Sequence, residues 1–126
     1  MKYLCLAYEE EKVLNDLSRE EWDELRGETL AYVETLRKHG HLVLTNALQS
    51  ARTAATVRVR GGERSVLDGP YAETREQLGG FFLIEAKDRE QAIELAAHWP
   101  SARIGSIEVR PIEELLPEEH RYRPEE

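Results

Sequence analysis

Two short segments of this 126-residue chain are apolar at both alternating sets of positions. In residues 2–8, Tyr3, Cys5 and Ala7 alternate with Leu4, Leu6 and Tyr8; in residues 80–86, Phe81 and Leu83 alternate with Phe82 and Ile84. A strand of that kind needs cover on both faces of its sheet, so it belongs at the sheet centre. Residues 106–112 differ, alternating Ile107 and Val109 with Glu108 and Arg110, and keep one wet face. A fold that suits this chain places the first two segments inside and the third at an edge.

The segments between them are signalled well. Ser18 and Glu21 have the spacing of a capping box, and Leu17 with Trp22 that of a hydrophobic staple. Trp22, Leu25, Thr29, Tyr32, Val33 and Leu36 then fall on one helical stripe, which ends in Arg37, Lys38 and His39 before the stop at Gly40. Residues 42–48 read as a strand. Residues 56–60 and 63–67 flank Gly61-Gly62, a pair suited to the positive φ angles of a two-residue hairpin turn. Asp88 and Gln91 cap a second helix carrying Ala92, Ile93, Ala96 and Ala97, which ends before Pro100. The order strand, helix, strand with inserted hairpin, strand, helix, strand is the ferredoxin-like split βαβ plan of an α+β sandwich. In that plan the first and third main strands are central and the fourth lies at an edge, as the apolar pattern asks.

At this length the expectation is one domain over residues 1–116, able to bury a core without metals or disulfides, and a charged tail over residues 117–126. Acidic residues outnumber basic ones, 25 against 17, for a formal charge of −8. That field repels nucleic acid and anionic membrane, and neither is expected as a partner. The single Cys5 excludes an intramolecular disulfide and suits a reducing cytoplasm. The opening apolar run is too short for a membrane span and lacks the layout of a secretory signal. Cytoplasmic localisation is the expectation.

Residues 68–82, Asp-Gly-Pro-Tyr-Ala-Glu-Thr-Arg-Glu-Gln-Leu-Gly-Gly-Phe-Phe, combine turn formers, ionisable side chains and paired glycines ahead of a central strand. This stretch resembles the DGPF motif of the YCII-related domain family, with Tyr71 where the motif carries Phe and Arg75 where Lys often stands. The resemblance extends from the opening residues 1–8 through residues 105–112. It implies the dimeric α/β-barrel group, in which two ferredoxin-like protomers pair. The residues give a reason for such a homodimer. Both helices of this plan cover one sheet face, which leaves an apolar patch on the order of several hundred Å2 on the other.

Each candidate site residue has two readings. The Asp68 carboxylate either fixes the Asp-Gly-Pro turn through backbone N–H groups or serves as a general acid or base at a cleft rim. Glu73, Thr74, Arg75 and Gln77 are either a solvated loop or the polar lining of a ligand site beside Gly79 and Gly80. In the second reading Arg75 clamps a carboxylate or phosphate; in the first it pairs with Glu73. Tyr71 either packs as a plain ring or offers its hydroxyl. Arg103 is either a surface arginine at a helix–strand turn or a further cation for the same cleft. His39 and His41 flank the helix stop, while His98 and His120 stand alone. No metal motif supports a metal site, and no cofactor is expected. The family resemblance implies a His–Asp pair, for which His39 or His41 with Asp68 are the available partners; no convincing histidine lies in the first helix. Cys5 reads as inert packing.

Three functions stand at this point. The first is a small-molecule enzyme using Asp68 as acid or base and Arg75 as anion clamp. The second is a non-catalytic ligand-binding or regulatory module, associated with sigma factors by family analogy. The third is a structural dimerisation protein.

Overall fold

The two doubly apolar strands lie side by side at the centre of the sheet. In the computed structural model, which describes residues 1–114, the elements are β1 (Lys2–Glu9), α1 (Glu11–Asn15), α2 (Arg19–Lys38), β2 (Leu42–Ala47), β3 (Ala55–Arg60), β4 (Glu63–Asp68), β5 (Gln77–Glu85), α3 (Arg89–Ala97) and β6 (Gly105–Pro111). Short 3-10 turns occupy Ala51–Thr53 and Pro100–Arg103. The main sheet runs β2-β5-β1-β6 with antiparallel neighbours throughout. This is a ferredoxin-like α+β fold. The expected tail over residues 117–126, with His120, lies outside the described residues.

Register explains which side chains are buried. Cys5 stands opposite Phe82 on one side and Val109 on the other, and Tyr3 stands opposite Ile84. These side chains face α2 and α3 and join Leu36, Ala92, Ala96 and Trp99 in the core. Trp99 stacks on Phe82 with ring centroids 4.0 Å apart, and Tyr32 meets its edge. The alternate positions pair Leu4 with Leu83 and Leu6 with Phe81 on the face that carries no helix. They are only part-buried, and Leu44 beside Leu83 is half-exposed.

The caps form as their spacing requires. Ser18 Oγ accepts from the Glu21 N–H while Glu21 accepts from the Ser18 N–H. At the other end Gly40 has φ +77°, its N–H donates to Arg37 O, and the His41 N–H reaches Leu36 O. Together these form a Schellman stop, which a residue with a Cβ closes only under strain. Asp88 accepts from the Gln91 N–H at the start of α3. β3 and β4 form a separate two-stranded ribbon, closed at Gly61-Gly62 with both φ angles positive, as an I′ turn demands.

Three local features depart from the sequence reading. β5 begins at Gln77, three residues before the expected start, because β1 continues to Glu9 and keeps its partner. A register shift at Ala7/Tyr8 takes up Gly79 on the way. The helix α1 was not expected, since its five residues are too few to show a period. The Pro100–Arg103 turn likewise has no repeating pattern to announce it. No helix among the described residues is long and apolar enough to cross a membrane.

Candidate functional site

β1 delivers an acid to the helix-covered face. Tyr3, Cys5 and Ala7 are buried in alternation, and Glu9 is the next residue in that series. Its strand neighbours are Gln77 on β5 and Gly105 on β6. The local backbone leaves room for the side chain: a Cβ at Gly79 would lie 2.8 Å from both Glu9 carboxylate oxygens. A Cβ at Gly105 would overlap the carbonyl oxygen of Tyr8. Glycine is therefore required at Gly105, where the obstacle is backbone, while at Gly79 a methyl would displace the Glu9 carboxylate.

Glu9 opens on a cavity of about 930 Å3 between α2 and the sheet. Its walls are mainly apolar, with Leu14 and Leu17 on the α1 side, Trp22, Leu25 and Val33 from α2, and Trp99 at the inner end. Among the described residues, two buried side-chain oxygens lack a hydrogen-bond partner: Glu9 Oε2 and Ser101 Oγ. Both residues line this cavity. Ser101 lies in the turn that precedes β6 and is 7% exposed.

The surroundings of Glu9 disfavour its charge. Burial raises its pKa to about 7, and the nearby carboxylates Glu76 and Glu11 add to the rise. Glu11 is shifted the other way, chiefly because the Ser50 hydroxyl donates to it at 2.6 Å and the Ala51 N–H at 2.8 Å. Glu76 accepts from the Ser106 hydroxyl. Glu11 is thus held as a hydrogen-bonded carboxylate while Glu9 titrates near neutrality, the arrangement suited to proton exchange.

The residues singled out in the sequence are distributed over several places. Gly79 and Gly80 line the main cavity. Thr74 and Arg75 line a second, shallower groove of about 790 Å3 with Tyr8, Glu10 and Ser106. Arg75 pairs there with Glu10 at 2.6 Å, not with Glu73. Gln77 ties the loop down: its Nε2 donates to Thr74 O and its Oε1 accepts from the Glu11 N–H. Asp68 closes β4 opposite Ala55, is exposed, and accepts no hydrogen bond among the described residues. Gly69, with φ +116° and its N–H on Ala54 O, holds that turn instead. Tyr71 is 81% exposed with the Arg58 guanidinium 6.0 Å from its ring centre, and Glu73 is exposed. Arg103 pairs with Glu28 of α2 at 2.9 Å.

The histidines serve the chain ends of elements. His39 Nδ1 lies 2.8 Å from Thr35 O, and His41 Nδ1 lies 2.9 Å from Glu85 O. His98 Nδ1 lies 2.9 Å from Glu94 O, one helical turn back on α3. Burial pushes the Cys5 thiol up to about 12, which leaves it a packing group. No group of three or more His, Cys, Asp or Glu among the described residues is arranged to hold a metal.

Glu9 and Ser101 were missed in the sequence. The signal for Glu9 was present, since extending the Tyr3-Cys5-Ala7 series by two residues points an acid at the core face. Ser101 gave none.

Fold and site define an α+β protein of ferredoxin-like topology with a mainly apolar cavity under its first long helix. The chain belongs to the YCII-related domain family, whose family model matches residues 1–116. It is also similar to an uncharacterised protein of Rhizobium meliloti (strain 1021), with 37% identity over 114 residues that cover 89% of this chain and 92% of that protein.

Proposed function

We propose that this protein binds a small organic molecule in the cavity between α2 and the sheet, with Glu9 as the group that exchanges a proton with it. The carrying observation is that the two buried side-chain oxygens without a partner among the described residues, Glu9 Oε2 and Ser101 Oγ, line one mainly apolar cavity. Buried polar groups are ordinarily hydrogen-bonded, and apolar pockets with a few convergent polar groups are where ligands bind. The proposal moves the acid or base from Asp68 to Glu9, because a proton-handling carboxyl near neutral pH needs burial and Asp68 is exposed. Arg75 and Thr74 belong to the neighbouring groove, where Glu10 already occupies the guanidinium.

A thermal-shift screen of a fragment library tests the reading. A ligand at 100 times its dissociation constant adds about 2.7 kcal/mol of stability. Ala47 lines the cavity from β2, so Ala47→Phe puts a ring into it and narrows the space. Hits are expected to raise the Tm of the wild-type protein and to lose that effect in Ala47→Phe. Shifts that survive the substitution place the ligand elsewhere and overturn the reading.

The assembly proposed with it is a homodimer of the α/β-barrel type, formed through the sheet face without helices. Leu4, Leu6, Leu44, Phe81 and Leu83 support it, since they share that face and stay part-exposed in the protomer. Burying apolar area contributes roughly 25 cal/mol per Å2, and a stable interface of this type exceeds about 1,000 Å2. Light scattering at micromolar concentration is expected to give twice the mass of one chain, and Leu6→Glu to halve it. A wild-type monomer would refute the assembly.

A further inference from the structure

Resting on the cavity reading above, we infer that the ligand is a small primary amine with an apolar body, its ammonium seated between the Glu9 carboxylate and the Ser101 hydroxyl. The acceptors come first. Glu9 and Ser101 each present a buried, unpartnered oxygen to the cavity. An ammonium carries three donors and no acceptor, so its hydrogen-bonding inventory matches two oxygens that lack a donor. The two residues enter from adjoining structure: Glu9 pairs with Gly105, and the Pro100–Arg103 turn that holds Ser101 leads into that strand.

Charge then selects among head groups. The carboxylates nearest to Glu9 are Glu11, at the start of α1, and Glu76, just ahead of β5. Among the described residues no salt bridge involves Glu9, its Oε2 has no hydrogen-bond partner, and Arg75 pairs with Glu10. Arg19 and Arg26 reach the cavity from α2, yet both are exposed, and Arg19 turns toward Asp23 at 3.6 Å. A carboxylate or phosphate placed against Glu9 would add a further negative charge to this group. A neutral alcohol would give Oε2 a hydrogen bond but leave its charge uncompensated. An ammonium relieves both, through a charge-assisted bond in a poorly solvated place.

The walls select the rest of the molecule. Trp22 and Trp99 line the cavity with Leu25 and Val33, offering apolar surface for the body. Gly79 keeps the acid in place to meet it, because its bare backbone is what the Glu9 carboxylate lies against.

The chain has two tryptophans, and both line this cavity, so intrinsic fluorescence reports on it directly. The test titrates 2-phenylethylamine, 2-phenylethanol and 3-phenylpropanoate into the wild-type protein. At about pH 8 the amine is expected to bind at least about tenfold more tightly than the alcohol, and at about pH 5, where Glu9 is protonated, that advantage should vanish. Glu9→Gln should abolish the amine's advantage and keep the affinity for 2-phenylethanol, which separates a lost charge from a lost fold. Gly79→Ala, whose methyl would displace the carboxylate, should weaken the amine in the same direction. An alcohol or anion that binds as well as the amine, or an amine preference that survives Glu9→Gln, overturns the amine assignment and leaves the cavity reading standing. No response to any of the three probes overturns both.

Discussion

The loop over residues 68–76 and the cavity spend polar residues in opposite ways. The loop holds Asp68, Glu73, Arg75 and Glu76 within nine positions, all but Glu76 exposed. Its bonded side chains serve the chain itself: Arg75 bonds Glu10, Glu76 bonds the Ser106 hydroxyl, and Thr74 donates to Glu76 O. Glu9 and Ser101 line the cavity, and each keeps a buried oxygen without a partner among the described residues. Burial changes what an ionisable group does, because the loss of water disfavours its charge. Density of ionisable residues along a chain therefore marks a loop. Chemistry is marked by the few such residues that the fold withdraws from water.

Stability should separate the two regions most sharply. Trp99 is 8% exposed and stacked on Phe82, while Tyr71 is 81% exposed. Trp99→Ala is expected to cost about 3–5 kcal/mol, and Tyr71→Ala less than about 0.5 kcal/mol, both read from urea unfolding midpoints. Comparable losses would mean that the loop is anchored as firmly as the cavity wall, and the contrast would fail.

A smaller effect tests the electrostatic half of the comparison. The carboxyl of Glu9 titrates near 7 in the folded protein against 4.5 ordinarily. Between those values the folded state binds more protons than the unfolded state, so stability falls as pH rises through the window and is level above it. Part of the side chain remains within reach of solvent, which reduces the loss to about 1–2 kcal/mol. Glu11, Glu21 and Glu85 act with the opposite sign, because hydrogen bonds hold their pKa values low. The measurement is therefore the difference between wild type and Glu9→Gln, which cancels them. Glu11 and Glu76 face the site in both proteins, as do Arg19 and Arg26 from α2. The wild type should lose ground to the variant as pH rises through the window; a difference that stays flat would place Glu9 in water.

The architecture was legible because it is written in periods. Leu4 and Leu6 against Cys5 and Ala7, and Phe81 and Leu83 against Phe82 and Ile84, state a central strand in the sequence alone. Ser18 with Glu21, Gly40 and Gly61-Gly62 likewise name their own caps and turns. The cavity was not legible, since it arises where α2 stands off the sheet, and no local pattern encodes a distance between two elements. Gly79 and Gly80 suggest backbone that can approach a ligand closely; in the structure Gly79 lies against Glu9, from seventy positions earlier in the chain. The Asp-Gly-Pro setting of Asp68 includes Gly69 at a positive φ, which glycine adopts without strain.

The smallest expected effects are the ones able to reverse the comparison. Asp68→Asn removes an exposed charge that no partner among the described residues engages, and should move stability by less than about 0.5 kcal/mol. Arg75→Ala removes a guanidinium that is 90% exposed and paired with Glu10, and should leave the Tm where it was. Neither residue touches the main cavity, so any ligand that quenches Trp22 and Trp99 should bind both variants as it binds the wild type. Suppose instead that both variants keep the wild-type Tm and lose the ligand. The loop would then be the site, its exposed charges would act on a molecule held outside the cavity, and Glu9 would be a buried acid with a structural role. Because the folded state is expected to survive both substitutions, binding to these two variants reads the location of the site without interference from stability.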